Sequence, residues 1–303
     1  MRFNVGLTLH TTVSQFDKLL TDYGGVIASV YFSLPLGARF QTRLNIQRQF
    51  ENKKTVALFW ELLECVQSHG IPLETLFNGY HLTEDEVRRG AEVLDSHGVQ
   101  VEHVGLLEEY YGVVSECFPA QKKVFSYNNG IRTIAQFEAA NARHDYDYFV
   151  FGNSCMRDEE MFQRVHGGGK KTILLVNNGC SFNCNWCKSN ACQQTFERNL
   201  QQKSVEYLYA QQSMFPCEIL DGVVDVSNVD VLKISNRTSD VHYLRNCLES
   251  YTSGDVRRFV QKDKNNLAIW GRVGYFWKYF KTMDLERVID YKQEILGREI
   301  RVK

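Results

Sequence analysis

The sequence carries no excess charge of either sign, because 35 Lys and Arg residues face 36 Asp and Glu residues in a chain of 303. Proteins that attract nucleic acid through their overall field are strongly basic, so the composition gives no strong global nucleic-acid signal. The chain also lacks an apolar run of the roughly 20 residues that a membrane-spanning helix requires. We therefore predict no membrane span.

Two further motifs are missing. The amino-terminal stretch MRFNVGLTL has neither the long apolar run nor the small-residue cleavage site of a signal peptide. None of the eight histidines lies in an HxxH or HExxH pattern, which gives hydrolytic zinc chemistry little support. Cysteine, in contrast, is plentiful: nine residues, odd in number and clustered, indicate metal ligation in a reducing compartment rather than disulfides. We predict a cytoplasmic protein.

The densest cysteine cluster is a CxxxCxxC motif formed by Cys180, Cys184 and Cys187, with Cys192 close behind. Thiolates on so short a loop can converge on one soft metal centre. A structural zinc site usually has two CxxC pairs some distance apart, and a single CxxC stands here. The spacing therefore favours a 4Fe-4S cluster, with zinc and unliganded thiols as the alternatives.

Around this loop, short apolar runs alternate with amphipathic stretches typical of helices. Eight runs have the length and residue types of buried strands: 3–9, 26–34, 73–77, 99–104, 123–127, 147–151, 172–176 and 229–234. Eight strands, most of them followed by a helix, predict a (β/α)8 TIM-type barrel. An open, doubly wound sheet is the alternative, but no glycine-rich nucleotide loop follows the first run.

The alternation stops near residue 254. We predict a barrel domain over 1–254 that contains the cysteine loop, and a C-terminal extension over 255–303 that packs on it. Aromatic residues are dense in this extension: Trp270, Tyr275, Phe276, Trp277, Tyr279 and Phe280. Rings bury large apolar areas, so we expect these side chains to seal one end of the barrel.

Polar residues follow several predicted strands, at the end of a barrel where active sites lie. We select Asn153, Asn177 and Asn178 as candidate substrate-binding residues. Lys233 and Arg237 follow at the end of the eighth strand, where an ammonium and a guanidinium suit carboxylate or phosphate groups. The alternatives are asparagines that cap turns and a salt-bridged start of a helix. No residue is assigned as catalytic.

A 4Fe-4S cluster held entirely by protein needs a fourth ligand. We favour Cys217, which lies shortly before the eighth strand and hence beside the seventh in a closed barrel. Cys155, after the sixth strand, and Cys192 are the alternatives. Cys65 and Cys247 lie within helical patterns and are expected to be buried small apolar residues.

Three segments carry a family resemblance. DVLKISNRTSDVHYLR at 230–245 resembles the LKIEGR segment of the collagenase-like peptidase family U32, and LLVNNGCSFNC at 174–184 resembles the NxGCxxxC loop of its single-barrel branches. NSCMRD at 153–158 is similar to a polar-Arg-Asp turn that precedes that loop. The resemblance covers about residues 3–255.

The resemblance implies a (β/α)8-like barrel that holds a 4Fe-4S cluster. Better-understood relatives are similar to oxygen-independent hydroxylases that act in ubiquinone synthesis or on bases of ribosomal and transfer RNA. Peptidase activity is the older family label. Here Ser235-Asn236 replaces the usual Glu-Gly, and a Cys-rich segment with a following GxC is absent near Cys155. These departures count against peptidase activity and leave the substrate unidentified.

Alternative functions stay open. CxxxCxxC with Trp186 before the last cysteine is also the radical S-adenosylmethionine motif, in which three thiolates leave one iron free. That motif normally follows the first strand, whereas six predicted strands precede the one that carries it here. A non-catalytic, cluster-bearing subunit paired with a homologous barrel subunit is the third possibility, and a nucleophilic cysteine hydrolase is the least favoured.

Overall fold

The computed structural model describes residues 1–40, 49–152, 155–177, 200–235, 240–270, 282–300 and 302. Within these ranges the strands are β1 Phe3–Gly6, β2 Ile27–Phe32, β3 Leu73–Phe77, β4 His103–Leu106, β5 Lys122–Phe125, β6 Tyr148–Phe151, β7 Lys171–Leu175 and β8 Val231–Ile234. Neighbours in sequence pair in parallel, and β8 pairs with β1, which closes the sheet. The predicted (β/α)8 barrel is confirmed.

Helices connect the strands on the outside of the barrel. They are α1 Val13–Tyr23, α2 Lys53–Ser68, α3 Glu84–Ser96, α4 Tyr111–Cys117, α5 Ile134–Arg143, α6 Glu159–Gly167, α7 Val205–Gln212, α8 Pro216–Leu220, α9 Val241–Ser253, α10 Val256–Trp270 and α11 Leu285–Leu296. Short 3₁₀ turns lie at Ala38–Phe40, Glu108–Tyr110 and Tyr127–Asn129. None of these described helices is long and apolar enough to cross a bilayer.

Local sequence fixes several helix starts. The Thr83 hydroxyl accepts from the amide of Glu86 while the Glu86 carboxylate accepts from the amide of Thr83, and this capping box marks the start of α3. Thr12 and Gln15 form a second one at the start of α1. At the end of α9, Gly254 has φ of 79°, a left-handed conformation in which a side chain would be strained.

Several element boundaries differ from the sequence prediction. β1 ends at Gly6 instead of continuing to residue 9, and β4 begins at His103 rather than residue 99. The connection between β4 and β5 contains α4, Tyr111–Cys117. This helix has seven residues and no side-chain cap at its start, so its sequence carries none of the signals on which a prediction relies.

Beyond residue 254 the chain continues as helices on the barrel's outer layer. α10 packs against α9, and α11 packs against α7. The aromatic residues at 275, 276, 277, 279 and 280 lie outside the described residues. The division into a barrel domain and an extension, and the sealing role of these rings, therefore stay predictions.

Candidate active site at the barrel mouth

The cysteine loop starts at the carboxyl end of β7. Asn177 is two residues beyond that strand, and the described chain resumes at residue 200, just before α7. Most of the predicted site lies outside the described residues: Asn153, Asn178, Cys180, Cys184, Cys187, Cys192 and Arg237. What the structure does describe is the frame from which these residues extend.

Asn177 connects the parts of that frame through hydrogen bonds. Its Nδ2 donates to the Tyr243 hydroxyl at 2.6 Å, and its Oδ1 accepts from the backbone N–H of Ser235 at 2.7 Å. Its own carbonyl accepts from the Ser235 hydroxyl at 2.6 Å. Asn177 thus joins the ends of β7 and β8 to α9, and its side-chain amide is already engaged within the protein. Its role in binding a substrate stays a prediction.

Lys233 lies within β8, and its ammonium points into the barrel. The Lys233 Nζ donates to Glu74 Oε1 of β3 at 2.9 Å. Since β1 and β2 separate β8 from β3 in the sheet, these side chains can meet only across the barrel interior. Lys233 Nζ also lies 4.0 Å from the centre of the Tyr31 ring. The binding of a substrate anion by Lys233 stays a prediction.

Glu74 belongs to a polar group inside the barrel. Its Oε2 accepts from Asn4 Nδ2 at 2.6 Å, and the same amide donates to Ser29 Oγ at 2.6 Å. Sequence analysis did not select these residues. The available signal was a polar residue within a short, buried strand, namely Asn4 in FNVG and Glu74 in LETLF.

The opposite half of the interior is apolar. A cluster separate from the main core comes from β5, β6 and β7: Val124, Tyr148, Val150, Ile173 and Leu175. His103 of β4 lies between the two halves, with its ring 5.3 Å from that of Tyr148. Burial lowers the pKa of His103, so its imidazole is neutral near pH 7. The interior is therefore divided between a polar half and an apolar half.

Some buried polar atoms have no partner within the described part of the chain. In and near the barrel interior they include Asn4 Oδ1, His103 Nδ1 and, after β3, Asn78 Oδ1. The Asn78 amide donates to Ser126 Oγ at 3.3 Å, which brings together the ends of β3 and β5. Buried acceptors without a donor are unfavourable, and a bound ligand could satisfy them.

The two described candidates for a fourth cluster ligand are both buried. Cys217 is in α8 with 2% of its surface exposed, and burial raises the pKa of its thiol to about 11. Cys155 follows β6 at the carboxyl end, where its Sγ lies 3.8 Å from the carbonyl oxygen of Ile131. Neither setting decides which cysteine is the ligand, so the choice of Cys217 stays a prediction. Cys65 and Cys247 are also buried.

A buried charge cluster fixes the segment that follows the cysteine loop. Glu218 accepts from Arg157 Nε at 2.6 Å and from Lys292 Nζ at 2.7 Å. Despite burial, these two cations hold the pKa of Glu218 below its usual value. Lys292 also donates to the Ser213 carbonyl at 2.6 Å. The cluster connects α11 to α8 and to the connection after β6, while Asp158, next to Arg157, caps α6.

Comparison with known proteins assigns no family. No family model matches the chain, and no curated protein matches it. A solved structure of a U32 peptidase is similar at 13% identity over 78% of this chain and 93% of that one, with a TM-score of 0.46. Proteus mirabilis N-acetylneuraminate lyase is similar at 13% identity over 100% and 91%, with a TM-score of 0.44. The tryptophan synthase α-subunit of Pyrococcus furiosus is similar at 10% identity over 89% and 98%, with a TM-score of 0.43. The barrel itself is established by the strand pairing, and these matches assign no activity.

Proposed function

We propose that this chain is an iron–sulfur barrel enzyme similar to single-barrel U32-type proteins, with a 4Fe-4S cluster held by Cys180, Cys184 and Cys187. The observation that supports the proposal is the origin of the cysteine loop at the carboxyl end of β7 in a closed barrel. Barrel enzymes place their reacting groups at this end.

The residue types in the loop are those that bind such a cluster. Three cysteines within eight positions offer soft thiolate donors, the ligands that iron–sulfur clusters take. The loop leaves a rigid frame, since Asn177 is bonded to Ser235 and Tyr243 and the amide of Met214 donates to the carbonyl of Val176 at 2.9 Å. When bound, the cluster would supply one-electron chemistry.

The barrel's own residues would bind and orient the substrate. Asn4 Oδ1 and Asn78 Oδ1 are buried acceptors that suit N–H or O–H donors of a polar substrate. The apolar half, with Val150 and Leu175, would take a less polar part of the same molecule. Lys233 and Arg237 are proposed to attract an anionic group. We propose oxygen-independent hydroxylation, or a related redox modification, of a small molecule or an RNA base.

A second candidate is a radical S-adenosylmethionine enzyme. The CxxxCxxC spacing with Trp186 before its last cysteine favours this candidate, because three thiolates on one loop would leave one iron without a protein ligand. Adding S-adenosylmethionine to the reduced cluster separates the two. Under our main proposal its electron paramagnetic resonance spectrum is unchanged, whereas a shifted spectrum shows an open iron and supports the second candidate.

Ligand mapping tests the main proposal. The full chain and its single alanine variants are purified without air, and iron and sulfide are measured. We expect Cys180→Ala, Cys184→Ala and Cys187→Ala to lose the cluster. Variants of Cys155, Cys192 and Cys217 then identify the fourth ligand as the position whose loss also removes iron.

Matched controls and a copurification check complete the test. Cys117→Ala and Cys117→Ser change a helical cysteine outside the loop and should keep their iron. Equal iron loss in these controls and in the loop variants, or no iron in any of them, would contradict the proposal. A second barrel chain that copurifies in constant ratio would instead indicate a cluster-bearing subunit.

A further inference from the structure

A cluster of three potential metal ligands lies in the outer helical layer, away from the barrel mouth. Cys65 is in the last turn of α2, His69 follows that helix, and Asp17 is on α1. Cys65 and His69 are four positions apart, which places their side chains on one face of the helix. α1 packs against α2, so the aspartate meets this face.

The distances between the donor atoms are close to those of a metal site. Asp17 Oδ1 is 2.7 Å from His69 Nε2 and 4.0 Å from Cys65 Sγ, and the three donor atoms all lie within 4.8 Å of one another. Bond lengths of zinc in a tetrahedral site place N and O about 3.3 Å apart and S and O about 3.6 Å apart. On metal binding, the distance from Asp17 Oδ1 to His69 Nε2 would lengthen by about 0.6 Å, and the distance from Asp17 Oδ1 to Cys65 Sγ would shorten by about 0.4 Å. Small side-chain rotations can supply both changes.

The donor set determines which ion would bind. A thiolate, an imidazole and a carboxylate together suit borderline ions such as Zn²⁺ and Co²⁺, whereas Ca²⁺ and Mg²⁺ prefer oxygen ligands. Among the described residues, no other three Cys, His, Asp or Glu donors converge in this way. The Asp17 side chain is 54% exposed, so an ion can enter from solvent and keep water as its fourth ligand.

We propose that Asp17, Cys65 and His69 form a binding site for Zn²⁺ or a similar divalent transition metal that cross-links α1 and α2. As the metal–sulfur bond forms, the thiol proton of Cys65 leaves to solvent, and the imidazole binds in its neutral form. His69 lies on the connection into β3, at the amino end of the barrel. Residues at this end of a barrel contribute to stability rather than to catalysis. The site is therefore structural and independent of the iron–sulfur proposal.

Cobalt binding tests this site. The loop cysteines would also bind Co²⁺, so the full chain is used with Cys180, Cys184 and Cys187 changed to Ala. We expect one equivalent of Co²⁺ to bind with the thiolate-to-cobalt absorption of a tetrahedral site. In this background, Cys65→Ser should abolish that absorption, and His69→Ala should weaken Co²⁺ binding at least tenfold.

The control is Cys117→Ser, a helical cysteine outside the cluster, which should keep the absorption. Asp17→Asn changes an exposed residue on the surface of α1 and serves as the variant least able to disturb folding. It should weaken Co²⁺ binding and reduce the rise in melting temperature that Zn²⁺ produces. Absorption that persists in Cys65→Ser, or a Zn²⁺ effect on melting that is equal in Asp17→Asn and its parent, would overturn the proposal.

Discussion

At the scale of single residues, the unusual feature is a charge pair inside the barrel. The interior of such barrels is usually filled by layers of branched apolar side chains. Here Lys233 and Glu74 meet within it, with 9% and 1% of their side chains exposed. Removing two charges from water is unfavourable, so a buried pair is weak evidence for stability and better evidence for a function at that place.

The first prediction concerns this pair. Glu74→Gln removes the carboxylate that pairs with the buried Lys233 ammonium, and we expect the free energy of unfolding to fall by about 3–5 kcal/mol. The double variant Glu74→Leu, Lys233→Met should lose less than the sum of its single variants, because no charge is left unpaired. Urea denaturation measures both. Strict additivity would show that the two side chains do not depend on each other.

A matched control is an exposed ion pair. Arg88 and Glu116 form one between α3 and α4, with 45% and 62% of their side chains exposed. Water screens such pairs, so Glu116→Gln should change stability by no more than about 1 kcal/mol. A loss as large as that of Glu74→Gln would show that burial is not the cause.

The second prediction concerns the pH dependence of stability. Burial lowers the pKa of His103 in the folded protein below the value of 6.5 that an unperturbed histidine has. As the pH falls below 6.5, the unfolded chain takes up a proton that the folded chain excludes, so the folded state loses stability. We expect His103→Phe to remove this part of the acid sensitivity, up to about 1.4 kcal/mol per pH unit. Unfolding at pH 7 and pH 5.5 measures it, and an equal loss in the wild type and the variant would contradict it.

Residue types at the site were more predictable than their partners. The sequence indicated polar residues at the ends of strands, and Asn177 does lie at the end of β7. Its bonds to Ser235 and Tyr243 depend on how β8 and α9 approach, which residue spacing does not show. Glu74 was missed for the same reason, because its partner Lys233 is 159 residues away in the chain.

At the scale of elements, predictions succeeded where local chemistry specifies the structure. The buried apolar runs marked the eight strands. The capping box of Thr83 and Glu86 is likewise a local feature, and it specifies the start of α3. α4 was missed because its start is uncapped. The charge cluster of Arg157, Glu218 and Lys292 was also missed, because Glu218 is 61 residues away from Arg157 in the chain.

The third prediction concerns α11, which this cluster holds. Glu218→Gln removes the anion that the buried Lys292 shares with the partly buried Arg157. We expect α11 to detach more readily, with amide hydrogen exchange over Leu285–Leu296 faster by at least about tenfold, while the strands keep more of their protection. Exchange followed by mass spectrometry measures this.

An exposed pair on the same helix provides the control. Glu286 pairs with Arg257 of α10, and 61% of its side chain is exposed. Glu286→Gln should leave exchange in α11 nearly unchanged, since a pair in water contributes little. If both variants speed exchange equally, the buried cluster is not what retains the helix.

At the scale of the whole molecule, the count of alternating runs was sufficient to predict the barrel. Eight strands joined by helices close by parallel pairing, and β8 meets β1 through pairs such as Asn4 with Lys233. Closure also places the connection after β7 at the carboxyl end. Which cysteines converge on one metal depends on loop conformation, and that is not encoded in the spacing alone.

The most direct test of the central claim is the iron and sulfide content of the full chain, purified and kept without air. We predict a brown protein with about four iron and four sulfide atoms per chain. The same preparation with Cys180, Cys184 and Cys187 changed to Ala should be colourless and free of iron. A wild-type chain that is colourless, or that holds zinc and no sulfide, would contradict the account.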